Sequence, residues 1–196
     1  MEKRTERQLE IIEAAGKLLT EDGVHGLTTK KLANKVGFSE SAIYRHFKSK
    51  EDIIVSLLMY LSESMDERFS NLDLREDDPI SSFEQLFINQ LEFFSKSPHF
   101  VVAVFSDGLL EESGRVNEAI KNIMKTKMKY LMPIITIGRQ KQVFTDSISS
   151  EELMSIVMGT FRLQMYKWRI SEFKFDIITQ GNNTIHSLLT LITKKS

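Results

Sequence analysis

Only three prolines and nine glycines punctuate this chain, and most stand between stretches whose apolar residues recur every three or four positions. Such punctuation predicts helices joined by short connectors, so the fold class read from the residues is all-α. In the first stretch Ile11, Ile12, Ala15, Leu18 and Leu19 share a face. Thr5 with Gln8 makes a capping box at its start, and Gly23 closes it. A second, short helix runs from about Thr28 to Val36-Gly37, and Ser39 caps a third that ends near Phe47. Ser49 and Asp52 open a long connecting helix with Ile54, Leu57, Leu58, Leu61, Met65, Phe69 and Leu72 on one stripe. Asp78-Pro79 and Ser97-Pro98 each set a capping side chain before a proline suited to the first helical position. From Glu112 to Gln142, Val116, Ile120, Ile123, Met124, Leu131 and Ile135 mark another helix that Pro133 is predicted to bend or interrupt. Ser149 with Glu152 caps a helix reaching Ile170, and Asp176 begins the last, which ends near Thr193.

Composition narrows the function. The 196 residues contain no cysteine, which excludes a disulfide scaffold, a thiolate metal site and a cysteine nucleophile. His25, His99 and His186 are scattered, so no metal site and no cofactor are predicted. No apolar run is long enough to span a membrane, and the charged opening MEKRTERQLE has no signal-peptide character, which predicts a cytoplasmic protein with no membrane partner. Residues 1–50 carry 10 Lys+Arg against 7 Asp+Glu, a balance of +3; residues 51–196 carry 16 against 20, a balance of −4. A basic head on an acidic body lets nucleic acid meet the head alone.

Residues 28–50, TTKKLANKVGFSESAIYRHFKSK, have the layout of a helix-turn-helix, with Gly37 in the turn. Ile43 and Phe47 are placed to pack on Leu32 and Val36, turning Ser41, Tyr44, Arg45 and Lys48 outward. Small Ser41 and Ala42 let the backbone enter a major groove, and Arg45 is long enough to fork onto guanine O6 and N7. Thr29, Lys30, Ser39, Tyr44, His46 and Lys50 supply the hydroxyls, charges and ring nitrogen that bind phosphate oxygens.

The run Gly26-Leu27-Thr28-Thr29, Leu32-Ala33, Val36-Gly37-Phe38-Ser39, Ile43-Tyr44-Arg45-His46-Phe47 and Lys48-Ser49-Lys50-Glu51 resembles the DNA-binding head of the tetracycline-repressor (TetR) family over about residues 8–58. The resemblance implies a homodimeric, ligand-responsive, all-α regulator, usually a repressor. Three helices form the head, and about six more form a ligand-binding and dimerisation domain. By that likeness Thr29, Lys30, Ser39, Ser41, Ala42, Tyr44, Arg45, His46 and Lys50 lie at a double-stranded DNA operator. The domain division expected is 1–48 for DNA binding and 49–196 for ligand binding and dimerisation.

Thirteen Phe and nine Met suggest an adaptable apolar cavity in the body. Its expected lining is Tyr60, Phe87, Phe94, Phe105, Met124, Met128, Met158, Phe161 and Met165, with His99, Tyr130 and Gln164 as further polar contacts. The small-molecule effector expected there is hydrophobic or amphipathic, such as an acyl chain, a lipid-like molecule or an aromatic drug. The last two helices are apolar on two sides, and Leu153, Val157, Gln164, Ile178, Ile185, Leu189 and Ile192 are expected at a four-helix homodimer interface that Gly159 lets close. Ligand binding is expected to tilt the connecting helix and spoil the spacing of two recognition helices about 34 Å apart. Two other readings stand beside this one: a helical binding protein that reads no DNA, and a small enzyme using Asp107, Glu111 and Glu112. The second lacks any His at di-metal spacing and any nucleophile paired with a base, so the chain is predicted not to be an enzyme.

Overall fold

Local caps at both ends set most of the helix boundaries. The computed structural model describes residues 4–105, 109 and 113–194, and within them nine helices and no strand. They are α1 (Glu6–Gly26), α2 (Thr29–Val36), α3 (Glu40–His46), α4 (Lys50–Ser70), α5 (Pro79–Lys96), α6 (His99–Phe105), α7 (Gly114–Gln140), α8 (Ser150–Ile170) and α9 (Ile177–Ile192). Thr5 with Gln8 and Ser149 with Glu152 form the two capping boxes that the sequence predicts. Asp78 caps α5 with Pro79 in its first turn, and Asp176 caps α9.

Four boundaries differ from the sequence reading. Gly23 breaks the helical path of α1 at φ 70°, ψ −174°, but the chain resumes a turn and ends only at Gly26. Helix α4 stops at Ser70, short of Leu72, and α6 begins after Pro98, which stands in the preceding turn. Helix α7 begins at Gly114, not Glu112, and runs through Pro133 to Gln140, not Gln142. Asp107, Glu111 and Glu112, the acidic group of the enzyme reading, lie outside the described residues.

The chain forms two compact units, Met1–Glu63 with His99–Ile123, and Ser64–Pro98 with Met124–Ser196. They do not follow the division at residue 48, because α6 returns to pack on α1. Gly16 permits that approach: a Cβ there would lie 2.9 Å from His99 Cδ2 and 3.1 Å from Phe100 Cε1. In the first unit Ile11, Ala15, Leu19, Leu32 and Ile43 are fully buried. In the second, α9 lies against α5 and α8. A Cβ on Gly181 would meet Leu91 Cδ1 at 2.5 Å, so α9 and α5 touch with no room for a methyl group. Phe83 packs on Phe87 and Phe144 with ring centroids 4.8 and 6.1 Å apart, and Phe87 on Phe161 at 5.4 Å. A short backbone bridge pins the end of α9: Thr145 N–H donates to Ile192 O at 2.7 Å and Lys194 N–H to Val143 O at 2.8 Å.

Candidate nucleic-acid interface and effector pocket

The helix-turn-helix is set by three local devices. Thr28 Oγ1 accepts from Lys31 N at 3.2 Å and starts α2. Gly37 ends α2 in the left-handed conformation, φ 71° and ψ 28°, where a side chain would be strained. Ser39 Oγ accepts from Ala42 N at 3.2 Å and starts α3. Ile43 and Phe47 then fasten α3 from behind, both buried, while Ser41, Arg45 and Lys48 are exposed and Tyr44 is 53% exposed.

The cations of this face divide into two sets. Lys31 and Lys35 are engaged by α1, Lys31 Nζ lying 3.0 Å from Asp22 Oδ2 and Lys35 Nζ 2.6 Å from Glu21 Oε2. No ion pair among the described residues engages Lys30, Arg45 or Lys48, which leaves their charge for a partner. Thr29 Oγ1 lies 3.4 Å from Tyr44 Oη, so the start of α2 and the outer face of α3 are adjacent. Ser39 Oγ lies 2.9 Å from Ser41 Oγ. Ala42 and His46 are half-buried beside them. Lys50, expected at a phosphate, has a contact within the chain: its Nζ donates to Val24 O at 3.0 Å and helps satisfy the end of α1.

The body departs further from the sequence reading. Of the expected contacts, Phe87, Phe161 and the polar Gln164 border a small cavity of the second unit, where Leu91, Gly181, Thr184 and Leu188 join them. Its volume is about 10 Å³, room for about one water. Phe94 and Met165 are buried in that unit and Met158 half-buried, without bordering the cavity. Tyr60 and Phe105 belong to the first unit, where Tyr60 packs on Phe100 at 6.1 Å. Met124 and Met128 are 51% and 40% exposed. The buried stripe of α7 is Val116, Ala119, Ile123, Lys127 and Leu131, and each methionine stands one residue, about 100°, around the helix from it.

The expected polar contacts also have partners of their own. Tyr130 Oη donates to Asp66 Oδ1 at 2.8 Å. Gln164 Oε1 accepts from Thr184 Oγ1 at 3.3 Å. His99 Nε2 lies 3.0 Å from Glu13 Oε1 but without hydrogen-bond alignment, and burial lowers the His99 pKa against the opposing pull of Glu13. The residues expected between two copies need the largest correction. Leu153, Val157, Gln164, Ile185, Leu189 and Ile192 are buried in the chain's own interior, and Ile178 is half-buried. The outward side of α8 instead carries Ile156, Leu163, Tyr166 and Ile170, all exposed, around a Gly159 that faces open space.

Lys127 was not singled out by the sequence reading, although it stands at i+4 from Ile123 and i−4 from Leu131, a cation inside an apolar stripe. It is 8% exposed, with Nζ 3.9 Å from the Phe161 ring centroid and 6.0 Å from that of Phe87. Burial, reinforced by the like charge of Arg68, pulls its pKa down to about 7. A cation–π contact returns about 0.5–2 kcal/mol, less than the several kcal/mol that burying an ion costs. Packing alone therefore does not balance this charge.

Two comparisons decide what this arrangement is. Residues 11–57 match the bacterial regulatory proteins of the tetR family, and residues 57–191 match the C-terminal region of YsiA-like proteins. The chain belongs to the TetR family. As a TetR-family protein it is a DNA-binding transcriptional regulator. The fatty acid metabolism regulator protein of Bacillus subtilis is 24% identical over 195 residues, all of both chains. Nucleoid occlusion factor SlmA of Photorhabdus laumondii is 33% identical over 162 residues, 80% of this chain and 81% of its own. The fold is that of solved TetR-type structures. FadR of Bacillus subtilis, determined with stearoyl-CoA, superposes with a TM-score of 0.77 at 21% identity, covering 92% of this chain and 97% of its own. The ketosteroid regulator KstR2 of Mycobacterium tuberculosis gives 0.78 at 20% identity, covering 98% of each chain. Among the described residues no helix is long and apolar enough to cross a membrane.

Proposed function

We propose that this TetR-family protein is a homodimeric repressor that holds a palindromic operator and lets it go when a long-chain acyl compound, an acyl-CoA or its fatty acid, enters the body. The observation that carries the DNA half is the outer side of α3 and the bend that follows it, where Arg45 and Lys48 stand exposed and without an ion pair beside the buried anchors Ile43 and Phe47. Arg45 reads base edges, while Thr29, Lys30, Ser39, Tyr44, His46 and the backbone near Ser41 and Ala42 hold phosphates. Lys50 steadies the reading head through Val24 as well as adding charge.

The homodimer follows from two needs. A helix-turn-helix that reads a palindrome requires a second copy about one DNA turn away. The exposed Ile156, Leu163, Tyr166 and Ile170 of α8 lack apolar cover within one chain, and a second copy supplies it.

The acyl half is supported by likeness to a fatty acid metabolism regulator along the whole chain, and by the stearoyl-CoA held in the similar FadR structure. A chain of that size does not enter a cavity of about 10 Å³ unless Phe87, Phe161 and the helices carrying them move. Opening and operator release are then one event. Reversing a 1:99 population to 99:1 requires the effector to favour the released form by about 5.5 kcal/mol. The test is a gel shift on the promoter-proximal palindrome, titrated with stearoyl-CoA and stearate. Loss of the shifted band is expected, and an unchanged band across saturating amounts of both overturns effector release.

The 33% identity to SlmA favours a second reading, in which DNA binding serves nucleoid occlusion. Mapping of bound sites across the chromosome separates the two: a few promoters for the repressor, many sites away from promoters for the alternative.

A further inference from the structure

We propose that Lys127 is the counter-charge for the head of the effector, an oxyanion, carboxylate or phosphate, joined to an apolar chain. The proposal rests on the reading of this protein as an effector-released regulator and names the group in the body that selects the effector's class.

The chemistry is local to the second unit. Lys127 is more than nine-tenths buried, and no carboxylate and no hydrogen-bond acceptor is paired with its ammonium among the described residues. Its neighbours are the faces of Phe161 and Phe87. Those same two rings wall the small apolar cavity, so an apolar chain that parts them arrives beside the ammonium. A second cation acts on the same place. Arg68 donates from Nη1 to Asn89 O at 3.4 Å and from Nη2 to Gln90 Oε1 at 3.3 Å, lies 4.1 Å from the Phe93 ring, and bears on Lys127 as a like charge. Two cations and three aromatic rings suit a molecule that is negative at one point and apolar elsewhere.

Sequence position argues the same way. The sites four residues before and after Lys127 on α7 are Ile123 and Leu131, both buried, so an apolar residue would complete the stripe. A lysine there is a poor packing choice and a good receptor for an anion that arrives with its own apolar cover.

The experiment measures binding of stearate, stearoyl-CoA and uncharged stearyl alcohol to the full-length protein by titration calorimetry, with operator release read in parallel. The wild type is expected to bind at least one anionic probe about tenfold or more tightly than the alcohol, the preference expected of a charge-assisted contact. A preference for stearate over stearoyl-CoA identifies the oxyanion as a carboxylate, and the reverse preference as a phosphate. Lys127→Met is expected to erase the preference while keeping affinity for the alcohol. Lys127→Arg, which keeps charge and bulk, retains most of the preference and serves as the folded comparison. Unchanged anion preference in Lys127→Met overturns the assignment of Lys127 alone, provided both anions still release the operator. No binding of any probe to the wild type, with the operator still held, overturns this assignment and effector release together.

Discussion

The head and the body of this protein hold positive charge in opposite ways. On α3 and in the bend just after it, Arg45 and Lys48 stand in solvent without an ion pair, where water solvates them at little cost until a phosphate or a base edge replaces it. On α7, Lys127 is wrapped in aromatic rings, and its charge is opposed from the start. An exposed cation waits for a partner at little expense to the fold. A buried one lowers the stability of the unliganded form, so whatever neutralises it also shifts the balance between forms.

The largest expected effect breaks the head from behind. Ile43→Ala removes a fully buried anchor and is expected to cost about 2–5 kcal/mol, read as loss of the urea midpoint and of operator binding together. If operator affinity survives at full stability, α3 is not held by this anchor. Next, Lys127→Met is expected to stabilise the unliganded protein by roughly 1–4 kcal/mol, as when other buried charges are replaced by apolar residues. Its pH dependence has a definite sign. The unfolded chain keeps the Lys127 proton up to the ordinary value of 10.5 while the folded chain releases it near 7, so wild-type stability from this group rises with pH between those limits. The advantage of Lys127→Met is therefore full below pH 7 and fades as pH approaches 10. Melting temperatures across that range decide it, and an advantage that does not change with pH removes the buried charge as the cause.

Arg45→Ala is expected to cost about 1–3 kcal/mol of operator binding and to relax base preference at one position. Equal losses on operator and random DNA assign Arg45 to phosphate instead. The smallest effect is that of Lys30→Ala, which leaves base preference intact and lowers the salt slope of binding by about one. Applied to Lys50, the same substitution is expected to affect stability too, through Val24, and a melt separates the two contributions.

Helix ends were legible because their signals are local. Thr28, Gly37, Ser39, Ser149 and Asp176 each act on a backbone group within three or four residues, so sequence alone placed them. The orientation of α3 was legible for the same reason: Ile43 and Phe47 recur on one side of a short helix whose other side is polar. Helix α8 offered no such contrast. It is apolar on both sides, and only packing against α5 and α9 decides that Leu153 and Val157 face inward while Ile156 and Leu163 face out. Met124 and Met128 were misplaced because hydrophobicity was read as depth, whereas the stripe Ile123–Lys127–Leu131 fixes which side of α7 is inner. Lys127 was visible as a break in that stripe, but its meaning depends on Phe87 and Phe161, which lie far away in sequence.

The backbone bridge at the end of α9 limits how room can be made. Thr145 and Lys194 stitch the last turn to the loop after α7 by backbone bonds, whereas Gly181, near the other end of α9, meets Leu91 by packing, with one side-chain bond from Thr184 to Gln164 a turn further on. About 16 Å of helix separates the two points at 1.5 Å per residue. Helix α9 is thus held more firmly at its C-terminal end than near its start, so a guest wedged beside Leu91 would meet less resistance in swinging it through an angle than in sliding it sideways.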